Sequence, residues 1–97
     1  MMTLAELEKR MKNLKDWALE GEMIVKDIVF KDFKEALEYV NKVGELAEKS
    51  QHHPDIMIMY SSVRLSLTTH SEKGLTDKDF DLAEEIDKVQ LETKKDN

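Results

Sequence analysis

The stretch IMIMYSSVRLSLTT, residues 56–69, decides the fold. Ile56–Tyr60 and Val63–Thr69 each read as a strand, because β-branched and apolar side chains dominate both runs. With Ser61-Ser62 as the whole connection, Tyr60 faces Val63, Ile58 faces Leu65 and Ile56 faces Leu67. All six then share one face, as a packed hairpin requires, and Met57, Met59, Arg64, Ser66 and Thr68 take the other. Ser-Ser is not a preferred two-residue turn, so this register rests on the apolar pattern and not on the loop.

Working outward, the hairpin is flanked by helices. Three segments open with the same start chemistry: Thr3 before Glu6, Asp32 before Glu35 and Thr76 before Asp79. In each, a side-chain oxygen can accept from an orphan backbone N–H, and the acid three residues on complements the helix dipole. Apolar stripes at helical spacing follow. They are Leu4, Leu7, Met11 and Leu14; then Phe33, Ala36, Leu37, Val40, Val43 and Ala47; then Phe80, Ala83, Ile86 and Val89. The second helix must stop by His53, because Pro54 disfavours helical geometry in the residue before it. Between the first two helices, residues 17–30 predict two further short strands turning at Gly21-Glu22. Their buried face stays open, since Lys26 interrupts one parity and Asp27 the other. The predicted fold is α+β, in the order α-β-β-α-β-β-α. It is one small antiparallel sheet with helices packed on it, forming a single domain over residues 1–97 with a polar tail from about residue 91.

Composition narrows function. The net charge of −6 argues against a binder of phosphate backbones, and the Lys94-Lys95 pair reads as a solvated chain end. With no cysteine in the chain, disulfides, thiolate metal sites and cysteine nucleophiles are excluded. No apolar run approaches the ~20 residues of a membrane span, and Met1–Glu6 carries no signal pattern. A soluble cytoplasmic protein is expected. A chain of 97 residues holds only a modest core, so self-association is expected as well.

All three histidines fall close together in sequence. The hairpin pairing, continued outward from the serines, sets His53 opposite His70 with His52 alongside. Asp79, in the first turn of the last helix, can return to the cluster, and Glu48 lies in the last turn of the second helix. Imidazoles exchange protons near neutral pH, and a carboxylate can orient one ring, so acid–base chemistry fits. Alternatively, three histidines could hold zinc with one position open, although the spacing is not that of helix-borne zinc motifs and adjacent ligands are geometrically awkward. The bland readings stand beside these. A loop His-His is by default solvated, Asp79 a helix-start residue, Glu48 a surface acid, and Met57 with Met59 packing or an oligomer face.

The same residues carry a family resemblance. Glu48, His52-His53-Pro54, Tyr60, His70 and Asp79, at their spacing, resemble the signature of the pterin-4a-carbinolamine dehydratase family. AEKSQHHP at 47–54, TTHSEKGLTDKDFDLAEEID at 68–87 and W-x-L-E-G at Trp17–Gly21 also look like that family, so the match runs from about Trp17 to Ile86. The resemblance implies a four-stranded antiparallel sheet with three helices. It implies a hydro-lyase that recycles tetrahydrobiopterin by dehydrating 4a-hydroxytetrahydropterin to the quinonoid dihydropterin, with no metal and no cofactor. His52, His53 and His70 match the family's catalytic histidines, Glu48 and Asp79 its supporting acids, and Thr69 a residue lining the pterin pocket. Partners implied are a small-molecule pterin and copies of the chain, as a homodimer or homotetramer. Two alternatives are a non-catalytic dimerisation or regulatory module, and a dehydratase for another pterin such as one linked to molybdenum cofactor. Ile56 and Met57 stand where many relatives carry aromatics, and Gln51 where some carry an acid.

Overall fold

Residues 2–92 are described by a computed structural model of the chain. The elements are α1 (Leu4–Met11), β1 (Trp17–Glu20), β2 (Met23–Val29), α2 (Phe33–Ser50), β3 (Asp55–Met59), β4 (Ser62–Leu67) and α3 (Asp77–Ile86). A short 3-10 turn, His70–Glu72, separates β4 from α3. The expected α-β-β-α-β-β-α order is what the chain adopts, and the strands form one antiparallel sheet in the order β1-β2-β4-β3. The polar tail lies outside the described residues from Thr93 on, and Leu91, placed in it from sequence, is instead buried in the core.

The helix starts are built as their sequences predict. Thr3 and Thr76 each form a reciprocal capping box, with Glu6 and Asp79 respectively. Asp32 accepts from the Glu35 N–H, but Glu35 turns its carboxylate to the Lys31 N–H instead of completing the box. The stop of α2 is set by Gln51, whose left-handed backbone (φ 54°) ends the helix before Pro54 could. Gln51 N–H then bonds the Glu48 carbonyl and His52 N–H the Ala47 carbonyl, the two bonds of a Schellman motif.

The sheet register differs from the expected one by two residues. Ile58 pairs with Val63, Ile56 with Leu65 and Met59 with Ser62. Ser62 also pairs with Val29 on β2, so it belongs to the ladder on both sides and the chain must turn earlier. The loop is Tyr60-Ser61, with Tyr60 at φ 53° and 73% exposed. Because the slip is even, parity survives: Ile56, Ile58, Val63, Leu65 and Leu67 still share the core face. The first hairpin turns at Gly21-Glu22 as expected, with Gly21 at φ 59°.

The open parity of β2 is settled by its partners. Ile24, Lys26 and Ile28 lie opposite Leu67, Leu65 and Val63, so Lys26 stands on the core face. Its ammonium is 2.7 Å from Asp87 Oδ1, which also accepts from Trp17 Nε1 at 2.8 Å, while Asp87 Oδ2 accepts from the Lys15 N–H. Over this face pack Ala36, Tyr39, Val43 and Ala47 of α2 and Phe80, Ala83 and Ile86 of α3. The α2 stripe is rotated from the expected one: Tyr39 is buried, whereas Phe33 and Leu37 are exposed. In α1, Leu7 and Met11 are partly buried and Leu4 is 70% exposed. No helix among the described residues is long and apolar enough to cross a membrane.

Candidate active site

Three elements meet at one end of the sheet: the C-terminal cap of α2, the segment leaving β4, and the first turn of α3. The Schellman motif fixes the backbone of His52 immediately after α2. From there the His52 ring reaches Asp79, with Nε2–H donating to Oδ1 at 2.5 Å. The His52 side chain is 12% exposed and that of Asp79 fully buried.

Asp79 is held from its other side. Its Oδ2 accepts from the Thr69 hydroxyl at 2.8 Å and from the Thr76 backbone N–H at 3.0 Å. The Thr69 proton is thereby committed, so the 2.8 Å contact between the two threonine hydroxyls must be donated by Thr76. A carboxylate that accepts three such bonds is fixed in one orientation. Asp79 is both the helix-start residue of the default reading and the partner of an imidazole, because capping uses one oxygen and His52 the other. With Nε2–H given to Asp79, Nδ1 is the ring atom left to exchange a proton.

His53 turns the other way. Its Nε2 lies 2.6 Å from Glu48 Oε2, and both side chains are largely exposed. His70 opens the 3-10 turn next to Thr69 and is exposed. The shifted hairpin register removes the expected pairing of His53 with His70. Hydrogen bonds join His52, Asp79 and Thr69, and His70 is the next residue after Thr69 in the chain. His52 borders a cavity of about 510 Å³ between α2 and α3, floored by Leu46 and Leu82. His70 borders a separate hollow of about 490 Å³ with Asp55, Thr68 and Lys73. Thr69 is buried, with its hydroxyl aimed at Asp79.

Sequence reasoning did not foresee Thr76 as a member of this network, although the Thr76–Asp79 capping pair was the available signal. Nor did it foresee the left-handed Gln51 that aims His52, for which no residue preference gives warning. Among the described residues, no group of three His, Cys, Asp or Glu side chains is arranged to hold a metal ion.

Comparison with known proteins closes the question of ancestry. The family model described as Pterin 4 alpha carbinolamine dehydratase matches residues 1–89. The chain belongs to this family. Within the dehydratase family, a relative from Sulfurisphaera tokodaii is 42% identical over 91% of this chain and 95% of its own. One from Trichormus variabilis is 47% identical over 88% and 91%. Both carry the provisional name pterin-4-alpha-carbinolamine dehydratase. Among solved structures, a transcriptional coactivator/pterin dehydratase from Brucella melitensis superposes with a TM-score of 0.82 at 33% identity, over 88% of this chain and 93% of that one. A pterin dehydratase-like protein described as a RuBisCO assembly factor of the alpha-carboxysome shares the fold alone, with a TM-score of 0.64 at 18% identity over 77% and 89%.

Proposed function

We propose that the chain is a 4a-hydroxytetrahydrobiopterin dehydratase working by acid–base catalysis in the cytoplasm. The observation that carries the reading is the His52–Asp79 pair, an imidazole held at 2.5 Å by a buried, triply bonded carboxylate beside an open cavity. Membership of the dehydratase family supplies the substrate class.

Dehydration breaks the C4a–O bond and removes one ring N–H proton. One proton is added to the departing hydroxyl, which leaves as water, and one is withdrawn from nitrogen, so the protein ends with the protons it began with. His52 and His70 share these acid and base roles, His53 positions the pterin with Glu48 behind it, and Asp79 fixes the His52 tautomer. Positioned proton transfer contributes ~10²–10⁴-fold, sufficient for a leaving group already activated by the adjacent nitrogen. The test is stopped-flow dehydration of 4a-hydroxytetrahydropterin. His52→Ala and His70→Ala should each lose activity in that range while keeping the wild-type circular dichroism. Unchanged turnover in both variants would defeat the assignment.

A second reading is a non-catalytic dimerisation or regulatory module. It draws on the description of the Brucella protein as a coactivator and on the exposed Met57 and Met59 of β3. A chain that folds, self-associates and shows no dehydration of any pterin, the molybdenum-cofactor class included, would favour it. Either way a homodimer or homotetramer is proposed, because β3 is an edge strand and bears Ile56, Met57 and Met59 at the surface. Sedimentation showing only monomer at micromolar concentration would rule that out.

A further inference from the structure

Arg10 reaches from α1 to a row of acids on α3. Nη1 donates to Asp77 Oδ1 at 2.8 Å, and Nη2 to Asp81 Oδ1 at 2.9 Å and Glu84 Oε2 at 3.2 Å. The guanidinium carbon lies 5.3 Å from the centroid of the fully buried Phe80 ring. A single exposed ion pair is energetically weak. Arg10 differs in three ways: its side chain is 21% exposed, three carboxylates converge on it, and its plane rests on an aromatic ring. Lysine can supply the charge but not this fork. Helix α1 has no buried residue of its own, so Arg10 is a principal tie between it and α3.

The acids gathered by Arg10 flank the site. Asp77 and Asp81 stand two residues to either side of Asp79 in sequence, and Asp81 lines the cavity that His52 borders. Building on the dehydratase reading, we propose that Arg10 is a positioning residue for the His52–Asp79 pair. It ties down the start of α3 that carries Asp79, and it neutralises Asp81, so that Asp79 is the carboxylate that governs His52.

The other charged groups on the wall of that cavity are Lys78 and Glu85 of α3 and Lys49 of α2, while His53 pairs with Glu48 and His70 borders a separate hollow. Lys49 and Lys78 outweigh Glu85 on the cavity wall while Arg10 neutralises Asp81, and only balance Asp81 and Glu85 once Arg10 is gone. Removing Arg10 therefore tips the surroundings towards negative charge. A more negative surrounding stabilises imidazolium, so the His52 midpoint must rise.

The experiment is a nitrogen-15 NMR titration of the His52 ring in wild type, Arg10→Met, Arg10→Lys, Asp81→Asn and the Arg10→Met/Asp81→Asn double variant. Turnover is measured on each. Arg10→Met should raise the midpoint by on the order of half a unit, and adding Asp81→Asn should reverse most of that rise. Arg10→Lys should keep the wild-type midpoint yet lose about fivefold in kcat at unchanged KM, because charge is restored without the fork. Should Arg10→Met fail to fold, Asp81→Asn alone decides: with one acid fewer on the wall of the cavity while Arg10 keeps its charge on Asp77 and Glu84, the His52 midpoint must fall. An unmoved midpoint in the folded variant, or a rise that Asp81→Asn does not reverse, overturns the proposal. The titration needs no substrate. Inactivity of the wild type counts against the dehydratase reading, whereas an active enzyme with an unmoved midpoint counts against Arg10 alone.

Discussion

At the scale of single residues, the site depends on saturating one carboxylate. Asp79 caps its own helix and orients His52, and Thr69 makes the two roles compatible by fixing Oδ2. Thr69→Val keeps the shape but removes the donor to buried Asp79 and the acceptor of the half-buried Thr76 hydroxyl. Loss of a buried hydrogen-bond partner costs about 1–3 kcal/mol, so thermal or urea melts should show that loss, and Thr69→Ser should recover most of it. Asp79 was legible in sequence because capping follows a short-range rule. Thr69 was legible only through family resemblance, since nothing local says where its hydroxyl points. Tyr39 supplies the pH-dependent case. Burial, with the Asp87 charge added, pushes its phenol well above the usual range. In the unfolded chain Tyr39 ionises near pH ~10, where the folded chain still holds its proton. Stability is therefore unaffected below that pH and falls as pH rises beyond it, because the unfolded state releases a proton that the folded state keeps. Tyr39→Phe should flatten this alkaline fall, as read by denaturant melts on either side of pH ~10.

At the scale of elements, parity was legible and register was not. Alternation in 56–69 fixes which side chains face the core, and an even slip leaves that unchanged, so the pattern is blind to it. What decides is the double pairing of Ser62, with Val29 on one side and Met59 on the other, and β2 was not part of the hairpin reading. The consequence is a tyrosine in a conformation suited to glycine. Tyr60 is at φ 53° and 73% exposed, so the backbone cost is not offset by burial. Tyr60→Gly should stabilise the chain by about 0.5–1 kcal/mol, measured as a raised denaturant midpoint with unchanged m value. A loss of stability would mean that the Tyr60 ring makes contacts in solution, as in an oligomer through β3. The same logic applies to the histidines. The route expected through the hairpin is absent; the α2 cap at Gln51 and the Thr69–Asp79 bond place His52 on Asp79, while His53 pairs with Glu48 and His70 borders a separate hollow.

At the scale of the molecule, the pattern failed where the chain solves a long-range problem. Lys26 breaks the alternation of β2 because it sits on the core face, where its charge needs a partner far along the chain. Asp87, just past α3, provides it, and the same carboxylate accepts from the Trp17 ring and the Lys15 backbone. One acid thus closes β1, β2, the α1–β1 connection and the end of α3 on one another, with side chains 14% and 6% exposed for Lys26 and Asp87. A local pattern cannot reveal a pair separated by most of the sequence, so Lys26 read only as an obstacle. The arrangement is strongly asymmetric in its response to mutation. Asp87→Ala leaves a nearly buried ammonium uncompensated and should cost about 3–5 kcal/mol, a large share of the total for a domain of this size. Lys26→Met takes the cation from Asp87 but leaves that carboxylate its bonds from Trp17 and the Lys15 N–H, so it should cost less, about 1–2 kcal/mol. The double variant should therefore be more stable than Asp87→Ala by itself, which urea unfolding of the four chains measures directly. If the double variant is the least stable of the four, the pair is not coupled, and Asp87 holds the fold through Trp17 and Lys15 instead.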